Sequence, residues 1–156
     1  MVGHYRTFFD FSEDLSGQLG FSYVNGPNLN HRAQVFGADY TMKWTPGTKG
    51  KSATFETEAY WSDTGISGAK TTFGAFGALS YEIFPRWFMT GKLDYSELPG
   101  TSDVQRAASL GLTFKLTEFE HWRVEFQHLT SNFASIRNSL NFQFQFAIGA
   151  HPAHKY

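Results

Sequence analysis

Apolar and polar residues alternate one by one over most of this chain, and a period of two is compatible with only one element, a β-strand with two unlike faces. Over residues 33–44 one alternate set is Phe36, Ala38, Tyr40, Met42 and Trp44, against Val35, Gly37, Asp39, Thr41 and Lys43. The same sorting recurs over residues 16–24, 52–62, 72–83, 87–96, 106–116, 122–128 and 140–149. The last of these places Leu140, Phe142, Phe144, Phe146 and Ile148 opposite Asn141, Gln143 and Gln145. About eight strands are expected, with no segment of helical period, so the class is all-β.

The connections alternate as well. TPGTKGK, FPR and TEFEH are compact, whereas NGPNLNHR, SDTGISGAKT, SELPGTSDV and TSNFASIR are longer and polar. Hairpins with short turns at one end and longer loops at the other follow from this spacing. At 156 residues a single domain is expected over 1–156, with 1–14 as an N-terminal segment and 150–156 as a C-terminal tail.

Composition narrows the partners. Aromatic residues make up 18% of the chain and charged residues 17%, and the mean hydropathy is nonetheless below zero. Thirteen basic residues face fourteen acidic ones without a basic run, which gives no electrostatic footprint for nucleic acid. The absence of cysteine removes disulfides and thiol chemistry. No run approaches the roughly 18 to 20 apolar residues of a transmembrane helix, and the start, MVGHYRTFFDFSED, does not read as a signal peptide.

Which face meets which medium is decided by charge and by aromatic placement. The apolar set is almost free of charge, and strands of about 9 to 12 residues match the length a tilted strand needs to cross a bilayer. Trp44, Trp87 and Trp122 lie toward the short-turn ends of their strands, and Tyr23, Trp61 and Tyr95 toward the long-loop ends. Two aromatic girdles at two membrane interfaces are the expected reading. The opposite set, Asp39, Lys43, Glu56, Glu58, Glu82, Lys92, Asp94, Lys115, Arg123 and Glu125, is then a polar network inside a barrel, where charges of both signs pair. If Leu116 pairs with Trp122, Lys115 lies diagonally from Glu125. The expected architecture is an antiparallel up-and-down transmembrane β-barrel with both termini at the short-turn, periplasmic side. A soluble β-barrel that binds an apolar ligand is the alternative that alternation alone leaves open.

Candidate chemistry is sparse. His128 is the one ionisable residue of the apolar set, and lipid-facing His and Ser two apart occur in small outer-membrane lipid A deacylases. Here the residue two beyond is Thr130, and no carboxylate on the following strand orients the imidazole, so the triad is incomplete. His151 and His154 in the HPAH tail lack a nearby Asp, Glu or Cys to complete a metal set. Glu56 and Glu58 share a face but have no matching acid, and FGAFGALS lacks phosphate-loop spacing. No catalytic residue, metal or cofactor is expected, and a lipid-modifying hydrolase is kept as the third class.

The strings GADYTMKWTP, ATFETEAYW, RWFMTGKLDYSE and TEFEHWRVEFQH, and the ending NSLNFQFQFAIGAHPAHKY, resemble the C-terminal half of Gram-negative outer-membrane proteins labelled zinc-regulated TonB-dependent outer-membrane receptors. The resemblance runs from about Phe8 to Tyr156, and Gly149, His151, Ala153, His154 and Tyr156 are its most specific piece. It implies a β-barrel of the bacterial outer membrane, with membrane lipid or detergent and the barrel-assembly machinery as partners, and a homo-oligomer or a larger parent barrel as its setting. Members of that family are longer. No plug or TonB-box-like segment is visible in this stretch, so a structural or transport-related, porin-like barrel portion is expected and the receptor activity is not.

Overall fold

The computed structural model describes residues 1–47, 51–117 and 119–147. They form nine antiparallel strands in a single meander, each paired with the one before it in sequence. The strands are β1 (Val2–Ser12), β2 (Leu15–Asn28), β3 (His31–Trp44), β4 (Ala53–Asp63), β5 (Thr72–Phe84), β6 (Trp87–Glu97), β7 (Val104–Lys115), β8 (Glu120–Ser131) and β9 (Arg137–Phe146). There is no helix among the described residues. The all-β antiparallel class expected from the alternation is the one observed.

The count differs from eight because β1 gives no clean period-two signal. Its aromatic residues fall on both faces, and the bulge between Asp10 and Ser12 shifts the phase at its end. Its attachment is nonetheless specific. Phe9 lies over Gly17 of β2, where a Cβ would collide with the ring, and its ring stacks at 6.5 Å on Tyr40 of β3. Thus residues 1–14 are mostly a strand, and the odd strand count carries the two ends of the described sheet to opposite sides. The Met1 ammonium donates to the Asn25 carbonyl at the long-loop side, whereas the Ala147 N–H donates to Phe119 O at the short-turn side. The expectation of both termini on one side is thereby corrected.

The first long connection is also shorter than it reads. β2 and β3 stay paired from Leu15 and Trp44 out to Asn28 and His31, and the reversal is made by Leu29 and Asn30 alone, with Leu29 at a φ of 52°. Asn, Gly and Pro over 25–28 hide this ribbon from a periodicity reading, although Pro27 sits in it.

Register sorts the faces, because side chains alternate and a slip of one residue would exchange them. One continuous face carries Phe21, Phe36, Trp61, Leu79, Leu93, Leu110, Phe126 and Phe142; Leu93 is 68% exposed and Phe142 75%. The other carries the polar set, and here the burial lies: Ala78, Ser109, Thr113 and Thr72 are the buried side chains other than glycine among the described residues. Large apolar groups, elsewhere the ones most often buried, thus stand exposed on one face. β1 and β9 do not pair with each other, and the outer edge of each is open among the described residues.

On the polar face Gly20 leaves room for the Asp39 carboxylate, which crosses β2 to reach Arg6 of β1 at 3.6 Å. A Cβ at Gly20 would occupy that space, whereas one at Gly77 meets nothing within 4 Å. Gly20→Ala is therefore expected to cost the half-exposed ion pair, about 1 kcal/mol or less. The loss should vanish in an Arg6→Ala background, and Gly77→Ala should be neutral or stabilising. Urea unfolding measures all four variants; an equal effect of Gly20→Ala with and without Arg6 would refute the account.

Candidate functional site

The polar face holds all ten charged residues predicted for it, but pairs few of them. Lys92 and Asp94 form an ion pair at 2.7 Å, two apart on β6, and the Lys92 ammonium also lies 4.9 Å from the Phe76 ring centre. Asp39 pairs with Arg6, a residue of the strand that the sequence reading missed. Glu82 accepts from the Ser52 hydroxyl at 3.0 Å. Lys43, Glu56, Glu58, Lys115, Arg123 and Glu125 form no ion pair among the described residues.

The β7–β8 register accounts for part of this. Phe114 pairs with Trp122 and Lys115 with His121, so Lys115 lies diagonally from Arg123 and not from Glu125. The register differs by two residues from the Leu116–Trp122 pairing expected, which keeps the faces, because the Leu116 N–H donates to the Glu120 carbonyl and brings β8 in earlier. Two cations and an imidazole become neighbours. Lys115 rests over the Phe88 ring at 4.1 Å, and Arg123 Nε donates to Thr113 Oγ1 at 3.3 Å. Gln143 and Gln145 of β9 stand beside Arg123 and His121 in the same rows. A groove of about 580 Å³ runs over these residues to Thr54 and Glu56 of β4.

The apolar face carries the girdle residues in two lines. Toward the long loops Tyr23 meets Phe36 at 4.8 Å, and Trp61, Phe73 and Tyr95 follow at 5.4 and 6.0 Å, with the Arg106 guanidinium 5.9 Å from the Tyr95 ring. Tyr23 lies five residues inside β2, because the ribbon runs on past it, so it marks the line and not a strand end. Toward the short turns Trp87 meets Phe114 at 4.7 Å, and Trp122 meets Phe144 at 4.6 Å. Trp44 stands in the next row inward, beside Leu15 and Ala53. Phe36, Phe73, Phe114 and Phe144 are members that sequence reasoning passed over, although their position opposite a Trp or Tyr follows from the pairing.

The two lines keep a constant separation. Phe36 and Trp44, Ala53 and Trp61, Phe73 and Tyr81, and Trp87 and Tyr95 are each eight residues apart, as are Arg106 and Phe114, and Trp122 and Thr130. Eight residues rise about 26 Å along a strand. Between these positions the apolar face of each strand carries no Asp, Glu, Lys or Arg, and His128 is its one titratable imidazole. Both lines step by two residues toward the short turns between β5 and β6, since Tyr81 pairs with Met89 and Ala75 with Tyr95.

His128 Nδ1 donates to Asn138 Oδ1 of β9 at 2.7 Å, and the Thr130 hydroxyl donates to the Arg106 carbonyl. The imidazole is oriented by a neutral amide, and Thr130 is engaged elsewhere, so no nucleophile and base meet here. Among the described residues no cluster of three or more His, Asp or Glu is arranged to hold a metal ion. His151 and His154 lie outside the described residues, as does the 150–156 tail.

At the long-loop side Glu97 ties a loop to the sheet. Lys70 donates to Oε1 at 3.2 Å and the Phe73 N–H to Oε2 at 3.1 Å, and these hold its carboxyl below the usual carboxylate range. A depressed carboxyl pKa supports the tie above the unfolded value and loses it as pH falls through the lowered one. Cleavage of loop 64–71 by an added protease should therefore rise in Glu97→Gln at neutral pH, and in the unaltered protein only once the medium is acid enough to protonate Glu97. Equal cleavage of both proteins at neutral pH would rule out the tie. No family model, curated protein or solved structure matches this chain.

Proposed function

We propose that the sheet is the wall of a β-barrel in the bacterial outer membrane, with its apolar face against lipid and its polar face lining the lumen. The inverted burial carries this reading: large apolar side chains stand exposed on one face while the few buried groups lie among the charges of the other. The charge-free band between two aromatic lines supports it, since a strand tilted by about 40° turns a 26 Å rise into roughly 20 Å of height, close to the apolar band of such barrels. The stepping of both lines in one sense is the stagger that tilted strands require.

The strand count bears on the setting. With nine strands in a meander, β1 and β9 run in the same direction, and an antiparallel closure needs an odd number of further strands between them. The sheet is accordingly read as the barrel portion of a larger parent barrel, in keeping with the family resemblance. Its role is structural or transport-related, of the solute-uptake or porin-like kind, without catalysis. Membrane lipid or detergent and the barrel-assembly machinery are its partners.

Depth sets the test. Leu110 and Phe126 are midway between the lines, whereas Phe144 lies on one. Leu110→Lys and Phe126→Lys should each cost about 2–4 kcal/mol in bilayers, and Phe144→Lys about 0–1. Brominated lipid should quench tryptophan emission, and the folded band should shift on heating in detergent gels. A chain that folds fully in detergent-free buffer, with no gradient among the three lysine variants, would overturn the membrane reading in favour of a soluble barrel.

A further inference from the structure

We propose that Lys115, His121 and Arg123 form a binding site on the polar face for a dissolved anion bearing a carboxylate or phosphate group. The proposal rests on the reading of that face as a lumen only for the route by which the anion arrives. Three observations meet at the cluster. Lys115 and Arg123 are diagonal neighbours without a carboxylate partner among the described residues, and like charges so placed repel. Each is instead positioned by a neutral group: the Phe88 ring under Lys115, and Thr113 Oγ1 at Arg123 Nε. That last contact leaves the two terminal guanidinium nitrogens uncommitted, and these are a pair that an oxyanion engages side by side. His121, opposite Lys115 and two residues from Arg123, has its Nδ1 shielded from solvent and without a partner among the described residues.

The surroundings fit a ligand of this class. Gln143 and Gln145 flank Arg123 and His121 with amide groups, and the groove of about 580 Å³ over the cluster is large enough for a small organic anion. Acidic groups lie toward the far end of the groove or outside it, Glu125 excepted. Asp39 and Glu58 lie on β3 and β4 and do not line the groove, whereas Glu56 of β4 lines its far end. Among the described residues of this face Glu125 is the carboxylate adjacent to the cluster; its Oε2 and Arg123 Nε both face Gly111, and the two side chains form no ion pair. A lipid phosphate is the other source of the same chemistry, but it would approach from the apolar face, across the sheet from these side chains.

Titration calorimetry of the full chain in micelles, with inorganic phosphate and with succinate as probes, tests the site. Saturable binding of at least one probe is expected, weakened at least tenfold in Lys115→Gln and in Arg123→Gln and unchanged in Lys43→Gln. Lys115 is exposed, so its variant keeps the measurement open should Arg123→Gln fail to fold. Heat-shifted mobility of each variant establishes that it is folded. Absence of binding to folded protein, or binding indifferent to Lys115→Gln, overturns the proposal; so does retention of an anionic lipid in place of both soluble probes. If the chain folds in detergent-free buffer the membrane reading fails, and the same titration there decides the anion site separately.

Discussion

Everything in this sheet depends on the coupling of hydrogen-bond register to facial identity. Backbone groups fix which residues stand opposite each other, and the pleat then sends alternate side chains to opposite sides. Apart from bulges at the ends of β1 and β5, eight successive ladders hold one phase from β1 to β9. Sorting of side chains is consequently global: a property assigned to Phe126 is shared by Leu110, Gly91, Leu79 and Phe55 in the same row, four strands across. With almost no apolar side chain buried, the ladders themselves and the cross-strand pairs give the sheet its order.

Much of this was legible in the sequence. Alternation over 36–44 or 140–146 is unambiguous because aromatic and aliphatic residues take one parity and Gly, Thr, Asn, Gln, Asp or Lys the other. β1 was not legible, for Phe8 and Phe9 are consecutive and a bulge follows, so no parity dominates. The β2–β3 ribbon beyond Tyr23 escaped for a different reason: Asn25, Gly26, Pro27 and Asn28 carry turn chemistry, yet their backbone groups still pair with those of β3.

The polar face shows where pattern reading stops. Membership of all ten charged residues followed from parity, but their partners depended on registers set within the turns. A two-residue shift of register at the β7–β8 turn turns a prospective Lys115–Glu125 attraction into a Lys115–Arg123 juxtaposition. Asp39 likewise finds its counterion on the strand that was not foreseen. Short turns therefore govern the electrostatics of the face although they carry few of its charges.

The eight-residue interval between the aromatic lines has an evolutionary corollary. Removing one residue from within it would turn every side chain beyond the cut to the opposite face, whereas removing two preserves the faces and lowers the band by about 7 Å. Length change inside these strands is thus confined to even steps, each read directly as thickness, while the connections beyond the lines can lengthen one residue at a time. Variation among descendants of such a sheet should accumulate in loops for a reason of parity, before any question of what the loops do.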